Sequence, residues 1–120
     1  MRVAGIGFRT DAPVAALREA VDRAGGRADA LATAADKATA PALVALAEAL
    51  CLPVLSVLPA QLARQTTLSR SPRVEALFGT GSLAEAAALA AAGPGARLIG
   101  PRVQSADGMA TAAIAEGPQT

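Results

Sequence analysis

The chain opens on an apolar run, Met1-Arg2-Val3-Ala4-Gly5-Ile6-Gly7-Phe8, that ends in the polar turn Arg9-Thr10-Asp11. Val3, Ile6 and Phe8 suit a short buried strand, while Gly5 and Gly7 let the backbone turn or approach a neighbour closely. From residue 12 to 24 the period changes. Val14, Leu17, Val21 and Ala24 recur at helical spacing, with Arg18, Glu19, Asp22 and Arg23 on the other face. Pro13 falls in the first turn of this helix, Thr10 or Asp11 can cap it, and Gly25-Gly26 stops it. Ala28 to Ala32 is weakly β-forming, but its place between two helices predicts a second strand. Thr33 and Asp36 then begin a loop or single helical turn that carries Lys37.

Pro41 opens the next helix, with Leu43, Leu46, Ala47 and Leu50 as its buried stripe. Val54 to Val57 predicts a third strand, and Pro53 stands at its start, where no ladder donor is lost. Pro59 to Ala63 gives one or two helical turns. Gln65 to Arg73 is the most polar stretch and predicts a surface loop, from which Ser71-Pro72 opens a short helix through Val74, Leu77 and Phe78. Gly79-Thr80-Gly81 breaks the chain again. Ser82 caps an alanine-rich helix, and Glu85, three residues on, completes a capping box by spacing. Arg97 to Ile99 predicts a fourth strand, Gly100-Pro101-Arg102 a turn, residues 103 to 109 a loop or hairpin connection, and Ala110 to Ala115 a terminal strand. This order implies an α/β class: a three-layer α/β/α single domain with a mostly parallel, mixed sheet. The last pair of strands would add an antiparallel edge. The domain is expected over residues 1–115, with 116–120 as a loose tail.

Composition narrows the function classes. The 120 residues fit one domain, and 52% are hydrophobic, which argues against disorder. Alanine dominates that fraction, so helices can approach the sheet closely. Eleven basic and ten acidic residues leave a formal charge of +1, too little for a strongly electrostatic nucleic-acid binder. The absence of Trp and Tyr also argues against a base-stacking platform. There is no histidine, which removes the usual zinc constellations and a His-based triad, so no metal or cofactor is expected. The single cysteine, Cys51, excludes an internal disulfide and reads as a small buried hydrophobe at a helix end. No apolar run is long enough to span a membrane and no leader pattern is seen, so a cytoplasmic protein is the expectation.

Several short motifs recur together: GIGFR at the first strand end, Thr33-x-x-x-Lys37, Leu52-Pro53 before a strand, and Ser71-Pro72-x-Val74. They are followed by G-x-G-S-x-A-E-A-A-A-L from Gly79 to Leu89 and T-A-A-I-A from Thr111 to Ala115. In order and spacing the set resembles the cobalamin-biosynthesis family that includes CobE and the C-terminal domain of CbiG. The likeness runs from about residue 2 to residue 115, and the one-domain length is nearest the stand-alone members. The resemblance implies an α/β/α fold and a role in the corrin-ring pathway to vitamin B12. Its implied ligand is a polycarboxylate precorrin or hydrogenobyrinic-acid-type intermediate, held by an accessory or carrier protein. The alternative it implies is a hydrolase or lyase acting on a precorrin lactone or side chain. Many members carry a second basic residue after GIG-x-R, where this chain has Thr10.

A macrocycle fringed with carboxylates needs an apolar floor and several convergent donors. In a parallel sheet the turns that supply them share the carboxyl edge, where helix N-termini also point. Those turns carry Gly5, Gly7, Phe8 and Arg9; Thr33 and Lys37; Gly79, Gly81 and Ser82; and Arg102. For an enzyme, Lys37 or Glu85 would be the acid–base group, Glu85 only if its pKa were raised. Each has a plainer reading: Lys37 as a surface lysine, Ser82 and Glu85 as a cap, Gly5 and Gly7 as packing glycines. Arg64, Arg70 and Arg73 read as a solvated face, or else as a flap over the ligand. A third reading is a subunit that docks on other pathway enzymes through a stripe of Leu83, Ala87 and Ala91.

Overall fold

The computed structural model describes residues 1–117. Strand β1 (Arg2–Phe8) is the centre of the molecule: every residue from Val3 to Phe8 is buried. Helix α1 (Val14–Ala24), strand β2 (Ala30–Ala34), a 3-10 turn (Ala35–Lys37), helix α2 (Pro41–Leu50) and strand β3 (Val54–Val57) follow. The second half holds α3 (Pro59–Ala63), α4 (Pro72–Phe78), α5 (Leu83–Ala92), β4 (Arg97–Leu98), β5 (Val103–Gln104) and β6 (Ala110–Glu116).

The sheet order is β3-β2-β1-β6-β4, with β5 also on β6. β1, β2 and β3 are parallel, and β6 runs antiparallel to β1 from Arg2↔Glu116 to Phe8↔Ala110. The expected antiparallel strand is therefore present, but β6 is central rather than an edge. Its small residues, Ala110, Ala112, Ala113 and Ala115, are buried because helices cover both faces. β4 and β5 both pair antiparallel to β6, and so point the same way as β1. They form one interrupted edge strand: Leu98 faces Ala115 and Val103 faces Ala112, so residues 99–102 bulge opposite only two residues of β6.

Strand alternation assigns the two faces. Ala4, Ile6 and Phe8 pack with Leu17, Val21, Leu43 and Leu46 of α1 and α2. Val3 packs on the other side with Leu62, Leu83, Ala86 and Ala87, under α5. A Cβ built on Gly5 would lie 1.9 Å from the Ala84 carbonyl oxygen, so helix α5 rests directly on the β1 backbone. Of the stripe Leu83, Ala87 and Ala91, the first two are likewise buried against the sheet and Ala91 is half-buried.

Local expectations need four corrections. The residue before α1 is Pro13, which gives no side-chain cap; Thr10 and Asp11 belong to a turn closed by Ala12 N–H on the Arg9 carbonyl (3.0 Å). β2 starts at Ala30, two residues later than its place between the helices suggests, because parallel pairing with β1 sets its register, and Thr33 lies inside it. Cys51 is exposed, not buried: it takes the left-handed position (φ 57°) that ends α2, which turns its side chain outward. Glu116 closes β6 and Gly117 N–H bonds the Met1 carbonyl (2.9 Å), so the tail does not begin at 116. Residues 118–120 of the expected tail lie outside the described residues.

Candidate functional site

Phe8 and Arg9 end β1 beside the start of β6, where Arg9 N–H donates to the Met109 carbonyl (2.9 Å). Lys37 reaches the same point from the turn after β2. Its ammonium donates to the Phe8 carbonyl and stands 4.5 Å from the centre of the Phe8 ring. The β4–β5 bulge brings Arg102 and Gln104 to the third side. Helix α4 closes the fourth with Arg73, Val74, Leu77 and Phe78. Together these groups line a cavity of about 470 Å³ at the carboxyl edge of the parallel strands.

The cavity joins apolar and cationic surfaces. Phe8, Val74, Leu77, Phe78, Leu83 and Met109 supply the apolar part, and Leu77 is 65% exposed. Arg9, Lys37, Arg73 and Arg102 face it with one carboxylate, that of Asp11. Among the described residues none of these four cations lies in a salt bridge, whereas Arg2, Arg23, Arg70 and Arg97 all do. Burial lowers the Lys37 pKa; neighbouring Asp36 opposes that, and the positive charge of Arg73 adds to it. Arg73 and Lys37 thus feel one another across the cavity.

The sequence-derived residues separate into three groups. Gly7, Phe8, Arg9, Lys37 and Arg102 all line this cavity. Gly79 and Gly81 line a different one, of about 480 Å³, with Thr67, Arg70 and Glu75. Gly5, Thr33 and Ser82 reach neither. Gly5 is covered by α5, Thr33 is fully buried with its hydroxyl on the Ile6 carbonyl (2.8 Å), and Ser82 is fully buried with its hydroxyl accepting from Glu85 N–H (3.3 Å). Sequence reasoning missed the apolar part of the α4 wall, and placed Arg73 near a ligand only in the flap alternative. The signal was available, because Arg73, Val74 and Leu77 recur at i, i+1 and i+4 after Ser71-Pro72, but Arg73 had been grouped with the polar loop before it.

Glu85 departs furthest from expectation. It makes only half of a capping box, since its carboxylate does not return to Ser82. It is 0% exposed and accepts four hydrogen bonds. Oε1 takes Leu68 N–H (2.7 Å) and Ser69 N–H (2.8 Å); Oε2 takes the Ser69 hydroxyl (2.7 Å) and Arg102 N–H (2.8 Å). Burial alone would raise its pKa, but those four bonds outweigh burial and lower it. A carboxylate so held is a poor proton acceptor. A group whose native pKa lies below its unfolded one stabilises the fold above the unfolded pKa and loses that contribution as pH falls through the native value. Urea unfolding should therefore show a loss of stability as pH falls below the ordinary carboxylate range, and the loss should be smaller in Glu85→Gln, because the variant has no proton to take up. An equal loss in both proteins would contradict this.

The family model described as cobalamin synthesis G C-terminus matches residues 2–115. Among solved structures, the chain is 34% identical to CobE, a protein from the cobalamin (vitamin B12) biosynthetic pathway. That match covers 96% of this chain and 92% of the other, with a TM-score of 0.86. It is 36% identical to cobalamin biosynthesis protein chiG from Agrobacterium tumefaciens str. C58, over 99% of this chain and all of that one, with a TM-score of 0.72. No significant match was found among curated protein sequences.

Proposed function

Since the chain belongs to the cobalamin synthesis G C-terminus family, we propose that this cobalamin-pathway protein binds a polycarboxylate corrin-ring intermediate, of the precorrin or hydrogenobyrinic-acid type, as a carrier or accessory protein. The observation that supports this most is the convergence of Arg9, Lys37, Arg73 and Arg102, none of them ion-paired among the described residues, on one cavity with an apolar wall. Cations not engaged by an internal carboxylate can meet acetate and propionate groups, and charge-assisted bonds of this kind exceed neutral ones in strength. Phe8 and the α4 side chains Val74, Leu77 and Phe78 offer the apolar ring a surface. The reading gives Glu85 no proton to carry, because both its oxygens are already engaged.

Titration of hydrogenobyrinic acid, followed by the pigment's visible absorbance, tests the reading. A saturable spectral change at one ligand per chain, weakened by salt and returning unchanged pigment on denaturation, is expected. No change at tens of micromolar protein would overturn it. A spectrum that drifts with time and does not return would replace carriage with catalysis.

The lowered Lys37 pKa gives the binding a pH dependence with a definite sign. A ligand carboxylate favours the protonated amine, so affinity should be highest below the Lys37 pKa and fall as pH rises through it. Binding should also be accompanied by proton uptake at alkaline pH, measured by calorimetry in buffers of differing ionisation enthalpy. Lys37→Met should abolish the uptake. A wild-type affinity that does not change up to the ordinary lysine range would contradict the assignment.

A further inference from the structure

We propose that Glu85 is a positioning residue for this cavity: its buried carboxylate fixes the two irregular segments that present Arg73 and Arg102. The inference rests on the binding reading above and adds a residue that never meets the ligand.

Glu85 stands in the first turn of α5, seated on β1, and its donors come from chain 16 and 17 residues away on either side. Neither donor segment is held by sheet or helix bonding at the donating atoms. Leu68 and Ser69 belong to the loop that leads into α4, only two residues before its N-cap, Ser71. Ser71 N–H is itself held by the Gly81 carbonyl (2.7 Å), just ahead of α5. Arg102 lies in the edge-strand bulge, where its N–H has no partner on β6. A buried anion is costly unless fully hydrogen-bonded, and here every bond received also orders a loop.

The chemistry of the donors matters as well. Glu85 takes the backbone N–H of Arg102, not its guanidinium, so the cation stays available to the cavity. The carboxylate is itself fully buried and is not part of the cavity lining, so it organises cations without competing with a ligand's carboxylates. Lys37 is different. It is carried by the turn after β2 and anchored on the Phe8 carbonyl, with no bond to this network.

That contrast supplies the test. Affinities for hydrogenobyrinic acid are measured for wild type, Glu85→Gln, Arg102→Ala, Lys37→Ala, and the two double variants containing Glu85→Gln. Glu85→Gln should weaken binding about tenfold, as should each single loss of a cation. In the Glu85→Gln background, Arg102→Ala should cost less than about twofold more, while Lys37→Ala should keep its full loss. A general loosening of the fold would not couple to one cation and spare another. Additive losses at Arg102 would overturn the proposal.

Hydrogen exchange gives a readout independent of the ligand. The amides of Leu68, Ser69 and Arg102 should lose protection in Glu85→Gln while β1 and β6 keep theirs. Unchanged protection of those three amides would overturn the positioning role, whatever the titration shows. If wild type fails to bind the pigment while these amides respond, the binding reading falls and the organising role of Glu85 stands. If Glu85→Gln does not fold, Ser69→Ala removes one hydroxyl donor and should show the same selective coupling on a smaller scale.

Discussion

Gly5→Ala is expected to destabilise the protein by about 3 kcal/mol or more, at the upper end of overpacking substitutions. The new methyl would sit 1.9 Å from the Ala84 carbonyl oxygen and 2.6 Å from the Ala88 nitrogen. Both are backbone atoms of α5, so no side chain can swing aside. The helix must lift from β1, and the close packing of Ala84, Ala86, Ala87 and Ala88 is lost with it. Typical domains are stable by only about 5–15 kcal/mol, so a large part of the reserve goes. Gly7→Ala makes a useful contrast. Its nearest neighbour is the Thr111 hydroxyl at 2.9 Å, a rotatable group, and the cost should be clearly smaller. Chemical denaturation of both variants checks the pair. A Gly5→Ala protein within about 0.5 kcal/mol of wild type would mean that α5 is not seated where described.

The second large effect concerns the cavity. Arg73→Glu should weaken binding of a polycarboxylate tetrapyrrole by about 2–3 kcal/mol, roughly 30- to 150-fold. It removes one cation and puts a carboxylate in its place, facing the ligand's own. It would also relieve the repulsion that helps lower the Lys37 pKa, so the pH at which affinity falls should move upward. Arg73 is exposed and no salt bridge engages it among the described residues, so unfolding of the variant should be unchanged within about 0.5 kcal/mol. Undiminished affinity would remove α4 from the site.

Both effects depend on features that were unequally legible in the chain. Helix faces were readable because period alone places Leu17 and Val21, or Leu43 and Leu46, on one side. The central place of β6 was not. Ala110 to Ala115 carries the signature of a strand, but which neighbours it pairs with is decided by β1 across a hundred residues of sequence. Thr33 was misread for a related reason: a threonine after a weak strand looks like a turn, and only parallel pairing with β3, Thr33 opposite Ser56, carries the strand through it.

At the site, chain order brought Phe8, Arg9, Lys37 and Arg102 to one edge, as expected for turns that follow co-directional strands. Glu85 shows the limit of local pattern. Ser-x-x-Glu spacing is a sound reason to expect a cap, and the Ser82 half of it forms. The carboxylate turns away because Leu68, Ser69 and Arg102 offer it more donors than its own helix can, and none of them lies within fifteen residues of it.

The most direct test is a map of backbone amide chemical shifts as hydrogenobyrinic acid is added to labelled protein. Perturbations should concentrate at residues 7–9, at Lys37, along Arg73 to Phe78, at 102–104 and at 108–111, segments distant in sequence that meet at one cavity. Shifts confined to Thr67, Arg70 and Gly79 to Gly81, or scattered with no focus, would contradict it.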